Sequence, residues 1–162
     1  MSEPVTVMNA PIRLDFEIGA GTAQSRYLKG LMEGKIRGQR CPVCKKVYLP
    51  PRGSCPTDGV PTEEEVEVAE TGTVTTFCVV NIAFSDRAPE VPYVCGQVLL
   101  DGADTALLAL VAGIKAEECR MGLRVKAVWM PRDEWKYSSE NIKWFEPTGE
   151  PDADYDTYKE YL

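Results

Sequence analysis

RCPVCKKVYLPPRGSCPTDGV, residues 40–60, decides how this chain is read. Cys41 and Cys44 form one C-x2-C pair, and Cys55 opens a second pair that ends on Asp58 instead of cysteine. Zinc takes four ligands in a tetrahedron, and two short pairs, each facing the same ion, supply them compactly. A carboxylate oxygen ligates zinc at about 2.0–2.2 Å, so Cys41, Cys44, Cys55 and Asp58 make a reasonable set of three sulfurs and one oxygen. One soft ligand is exchanged for a harder one, which predicts weaker binding than by four thiolates. Three readings stand, in this order: structural zinc with Asp58 as fourth ligand; a metal-free remnant in which Asp58-Gly59 is only a turn; and a catalytic zinc with an open position.

Upstream of this stretch, residues 1–24 show no sustained periodicity and carry Pro4, Pro11 and Gly19, which predicts an extended arm. Residues 25–39 hold a docking helix, with Ser25 as its cap and Tyr27, Leu28, Leu31 and Met32 on one face. Gly30 and Gly34 weaken that helix in isolation, so it needs a surface, either its own domain or another protein. Downstream, ribbon and acidic connector TEEEVEVAETG run through residues 40–70. From residue 71 to 147 the text is β. GTVTTFCVVNIAF, YVCGQVLLDG, TALLALVAG, LRVKAVWMPR and NIKWFEPTG are five strands, with Asp101-Gly102-Ala103-Asp104 as a hairpin connection and one irregular break before the fourth. Five strands so spaced suit a small closed barrel of OB type. The proline-rich SDRAPEVPYV, with Pro89, Pro92 and Tyr93, is a loop at the barrel mouth. Residues 148–162 form an acidic tail whose Tyr155, Tyr158, Tyr161 and Leu162 either dock on a partner or stay unordered. The fold class is thus mainly β: an N-terminal helix, a rubredoxin-like zinc ribbon and a five-stranded OB barrel.

The 162 residues contain no histidine. That removes Ser-His-Asp and Cys-His catalysis, imidazole metal sites and the usual proton shuttle near neutral pH. A net charge of −7 argues against general nucleic-acid affinity. No apolar run approaches the roughly 20 residues of a membrane helix, and the first residues lack a secretory pattern, which predicts a cytoplasmic protein. Reduced thiols in that compartment leave Cys78 and Cys95 as small apolar side chains rather than disulfide partners. Basic residues cluster from Arg26 to Arg52, where Arg37, Arg40, Lys45, Lys46 and Arg52 are candidates to meet phosphates or a partner.

The helix ending in LMEGKI, the arginine before the first pair, LPPRGSCP, GTVTTFCVV, VPYVCGQVLLDG and MGLRVKAVW occur in a characteristic order over residues 25–147. In this the chain resembles the zinc-ribbon/OB-fold family catalogued as domain-of-unknown-function family thirty-five. The resemblance implies a non-catalytic accessory subunit bound to a thiolase-superfamily enzyme, in an α2β2 heterotetramer that acts on an acyl-CoA. In some systems that partner is a steroid side-chain aldolase. It further implies structural zinc and partner or CoA contacts among Tyr27, Leu28, Leu31, Met32, the basic cluster and the proline loop. Asp58 departs from the family's usual cysteine and bears on metal affinity rather than on fold. Two rival readings remain open. One is a single-stranded nucleic-acid binder stacking bases on Tyr93, Trp129, Trp135, Tyr137 and Trp144. The other is an enzyme with Cys95 or Cys119 as nucleophile.

Overall fold

Thr22–Glu33 form α1, which starts earlier than expected, after Gly21, so that Ser25 lies inside the helix and caps nothing. The helix stops where Gly34 turns left-handed, at φ 77°, and the next N–H, that of Lys35, reaches back to the Gly30 carbonyl at 2.9 Å. A glycine at that position ends a helix without a Cβ penalty. The expected continuation to residue 39 is therefore wrong: Arg37–Arg40 is strand β1. The computed structural model describes residues 6–10, 14–15, 17–83 and 89–162. In the arm, the described residues up to Gly21 are exposed and belong to no helix or strand, whereas Thr22–Gln24 already form the first turn of α1; residues 1–5, 11–13 and 16, with Pro4 and Pro11, lie outside the description.

Strand β1 lies between β2 (Val47–Tyr48) and β3 (Glu64–Glu67) in a three-stranded antiparallel sheet. The connector is thus a strand, and it explains the charge pattern. Arg37 stands opposite Glu67 and Arg40 opposite Glu64, and Arg40 pairs with Glu64 at 3.2 Å. Lys35 reaches Glu67 at 2.9 Å, Arg26 reaches Glu65 at 3.6 Å, and Arg37 turns to Glu33 at 2.7 Å. Three basic residues of the first block, Arg26, Lys35 and Arg40, are thus paired with Glu65, Glu67 and Glu64 of β3. Exposed pairs of this kind add at most about 1 kcal/mol each, so they set register more than stability.

The barrel consists of β4 (Thr71–Val80), β5 (Tyr93–Leu100), β6 (Leu107–Val111), β7 (Arg124–Trp129) and β8 (Ile142–Pro147), ordered β4-β5-β6-β8-β7 and closed. All five expected strands are present, and a 3-10 turn at Ala116–Glu118 is the irregular break before the fourth. Closure rests on the parallel pairing of Val111 with Phe145. Inside pack Val74, Val98, Leu100, Val125 and Phe145, each at most 1% exposed. Tyr27 and Leu31 of α1 join this same core, as do Ile36, Val47 and Leu49 of the ribbon. The helix thus packs against its own barrel and ribbon, which removes Tyr27 and Leu31 from the surface.

The ribbon is held to the barrel by side chains that imitate a strand. Asp104 accepts the Val47 N–H at 2.8 Å, and the Thr105 hydroxyl accepts from Leu49 N–H at 2.7 Å while donating to its carbonyl at 2.8 Å. The tail is ordered against its own chain. Arg120 holds Asp152 through two bonds of 2.6 and 2.7 Å, Tyr158 is buried, and the Tyr161 hydroxyl donates to Asp104 at 2.9 Å. No helix among the described residues is long and apolar enough to cross a membrane.

Candidate metal centre

Two hairpins of the same backbone design build the site. In the first, the Cys41 N–H bonds the Lys46 carbonyl at 2.9 Å and the Lys45 N–H returns to the Cys41 carbonyl at 3.2 Å. In the second, the Cys55 N–H bonds the Val60 carbonyl at 2.8 Å and the Gly59 N–H returns to the Cys55 carbonyl at 2.9 Å. Lys45 and Gly59 occupy the equivalent corner at φ 66° and 67°. Asp58 therefore stands in its hairpin where Cys44 stands in the other, and the turn brings its carboxylate to the sulfurs.

The three sulfurs and one Asp58 oxygen lie within 4.8 Å of one another. Cys41 and Cys55 both donate to Asp58 Oδ2 at 3.2 Å, and the Cys44 and Cys55 sulfurs are 3.7 Å apart. A tetrahedron with zinc–sulfur bonds of about 2.3 Å has edges of about 3.8 Å, so the cluster has the size the ion needs. Backbone N–H groups of Val43 and Asp58 point at the sulfurs of Cys41 and Cys55, each at 3.3 Å. Donors of this kind steady thiolates that share a metal. Tyr48, buried on β2, adds a hydroxyl 3.3 Å from the Cys55 sulfur and 3.8 Å from that of Cys44. Sequence reasoning passed over it; its spacing of four residues from Cys44 was the available signal.

With protons on the sulfurs, burial pushes the Cys41 thiol up to about 11. Hydrogen bonds from Cys44, Cys55 and Cys41 hold the Asp58 carboxyl below the usual range. A divalent cation would take the place of those protons, and metal binding at such a cluster releases them.

The remaining candidates are not gathered at this centre. Leu28 and Met32 are half-buried on α1; Arg37 and Arg40 are engaged with glutamates. Lys45, Lys46 and Arg52 are exposed on the ribbon, with Lys45 donating to the Pro42 carbonyl at 2.7 Å. Pro89 and Pro92 are exposed and Tyr93 begins β5; residues 84–88 of that loop lie outside the description. The thiols of Cys95 and Cys119 are both pushed up by burial, which disfavours the thiolate a nucleophile needs. Trp129 and Trp135 stack on each other at 5.0 Å, and the Trp135 indole donates to the Met130 carbonyl, so these two rings are engaged within the fold. A groove of about 760 Å³ opens between β6 and β8 beside Tyr27, with Leu107, Leu110 and Ile142 on its walls. There the buried Trp144 indole N–H has no acceptor.

A rubredoxin-like ribbon fused to an OB barrel, with a thiolate-rich cluster at the ribbon tip, defines the class. The family model for the ChsH2 rubredoxin-like zinc ribbon domain matches residues 28–64, and that for the ChsH2 C-terminal OB-fold domain matches residues 65–130. The chain belongs to this DUF35/ChsH2 family. It is 33% identical over 93 residues to a DUF35 domain-containing scaffold protein of Methanocaldococcus jannaschii, a match that covers 57% of this chain and 65%, just under two thirds, of that protein. Among solved structures it is similar to a chain of the Ltp2-ChsH2(DUF35) aldolase, with 26% identity and a TM-score of 0.61 over 81% of this chain and 98% of that one. A Sulfolobus solfataricus DUF35 protein of unknown function shares the fold at 18% identity, TM-score 0.58, with 79% and 85% of the two chains covered.

Proposed function

We propose that this chain is a non-catalytic accessory subunit that binds and supports a thiolase-like enzyme acting on acyl-CoA thioesters. The observation that carries this reading is the match to 98% of a chain in an aldolase assembly, by ribbon and barrel together. In this reading carbon–carbon bond chemistry belongs to the partner, an aldolase in the case of the similar structure, and a steroid side-chain retro-aldolase is the specific form the family resemblance implies. The assembly is an α2β2 heterotetramer. Exposed Lys45, Lys46 and Arg52 on the ribbon face the phosphate charges of CoA, and the proline loop with Tyr93 meets the partner.

Zinc fits the cluster, with Cys41, Cys44, Cys55 and Asp58 as ligands. When bound it supplies a cross-link between the two hairpins. This chain's residues hold the ribbon on the barrel around it, through Asp104 and Thr105, and so present the ribbon tip in one orientation.

Co-expression with a thiolase-like partner tests the reading. The two chains are expected to co-purify at the mass of a heterotetramer and to cleave a CoA thioester that this chain alone leaves intact. Turnover by this chain alone, or failure to bind any such partner, would overturn it. A single-stranded nucleic-acid binder would instead show affinity that falls steeply with salt.

A further inference from the structure

The two hairpins agree in backbone but not in how they expose their ligands. Cys41 and Cys55, the first ligand of each, are 0% and 1% exposed. Cys44 and Asp58, the second ligand of each, are half-buried and form the solvent-facing edge of the cluster. A ligand-exchange pathway must therefore begin at the Cys44–Asp58 edge. Of these two, the carboxylate is the weaker ligand for zinc and the more readily taken up by water when it lets go. One Asp58 oxygen, Oδ2, lies 3.2 Å from both buried sulfurs, so a single oxygen is placed to hold an ion between them and a single rotation withdraws it. Gly59, beside it, carries no side chain, and a Cβ built there would meet nothing within 4 Å, so open space flanks the corner.

We infer that Asp58 makes the ribbon's metal exchangeable: exchange begins at the Cys44–Asp58 edge with release of the carboxylate, while the three thiolates still hold the ion. The inference rests on the zinc reading above. It adds that occupancy follows the concentration of free metal, where a four-thiolate ribbon would hold its ion through every change. The three-sulfur cluster left behind has one open position, which water fills. No electron is transferred: one oxygen ligand is first replaced by water, an incoming chelator then displaces the three sulfurs in turn, and protons return to them as the ion departs.

Release of zinc to a chromophoric chelator in excess, followed in time on the full-length chain, tests this. Wild type is expected to release zinc faster and bind it more weakly than Asp58→Cys, by about tenfold or more, since even groups outside the ligand shell shift metal affinity by that much. Cobalt substitution checks the ligand count independently of folding yield. Charge-transfer absorption should correspond to three thiolates in wild type and in Asp58→Asn, and to four in Asp58→Cys. Asp58→Asn should release metal faster still, since it loses the charge on the oxygen. Equal release rates for wild type and Asp58→Asn would show that Asp58 is not a ligand and overturn the inference while leaving the zinc reading intact. So would a wild type that releases zinc as slowly as Asp58→Cys. A wild type that takes up neither zinc nor cobalt would overturn both.

Discussion

Asp101 shows how a single carboxylate joins separate strands. Arg124 donates to both of its oxygens, at 2.8 and 2.6 Å, and the Thr71 hydroxyl adds a third bond at 2.6 Å. The Arg124 guanidinium, first, and that hydroxyl hold the Asp101 carboxyl below the usual range. A carboxyl held low in the folded state stabilises the fold above its unfolded value of about 3.9, and that contribution is lost as pH falls through the lower folded value. Urea midpoints measured from pH 6 downward should therefore fall more steeply below about pH 4 in wild type than in Asp101→Asn. Superimposable curves would show that the pair contributes nothing to the acid response. At the metal hairpins the residue scale carries a different message. Lys45 adopts the left-handed corner that Gly59 takes without strain, and donates its Nζ to the Pro42 carbonyl at 2.7 Å.

Among the elements, α1 changes meaning most. Its apolar face reads equally well as a partner-docking surface or as core, because periodicity reports that a face is buried and not what buries it. Packing decides: Leu31 is 0% exposed among barrel and ribbon side chains. Leu31→Ala is expected to cost about 2–5 kcal/mol in the isolated chain, read from the shift in a urea unfolding curve. A change below about 0.5 kcal/mol would show that the face is not core. The connector carries a similar lesson. EEVEV alternates as a strand does, yet its acidity hides the pattern until Glu64 and Glu67 are seen opposite Arg40 and Arg37.

At the scale of the molecule, helix, ribbon and barrel share one core, while the metal cluster forms a second, small one of Cys41, Tyr48 and Cys55 with Cys44 and Val60 against it. Removing metal should loosen the small core and spare the large one. Hydrogen exchange after chelation is expected to rise over residues 41–46 and 55–60, with barrel strands unchanged. Loss of protection throughout the barrel would show instead that the ribbon metal supports the whole fold. The tail belongs to this scale too, since Tyr161 reaches the Asp104 carboxylate that also holds Val47 of the ribbon. A contact between residues so far apart in sequence has no local signature, which is why the tail read as a segment that either docks on a partner or stays unordered.

The sequence by itself determined the class: spacing of Cys41, Cys44 and Cys55 marked the ribbon, Asp58 its fourth position, and alternation with turn residues marked five barrel strands. These signals are local, because a ligand pair and a strand each complete their pattern within a few residues. Tertiary structure alone decided where the helix packs, that Arg26, Lys35 and Arg40 pair with glutamates of β3, and that the tail straps the barrel. It also decided that Asp58 lies on the solvent-facing edge of its cluster. Each of those depends on which distant surfaces meet, and burial and pairing between distant segments are properties of the folded chain rather than of any stretch within it.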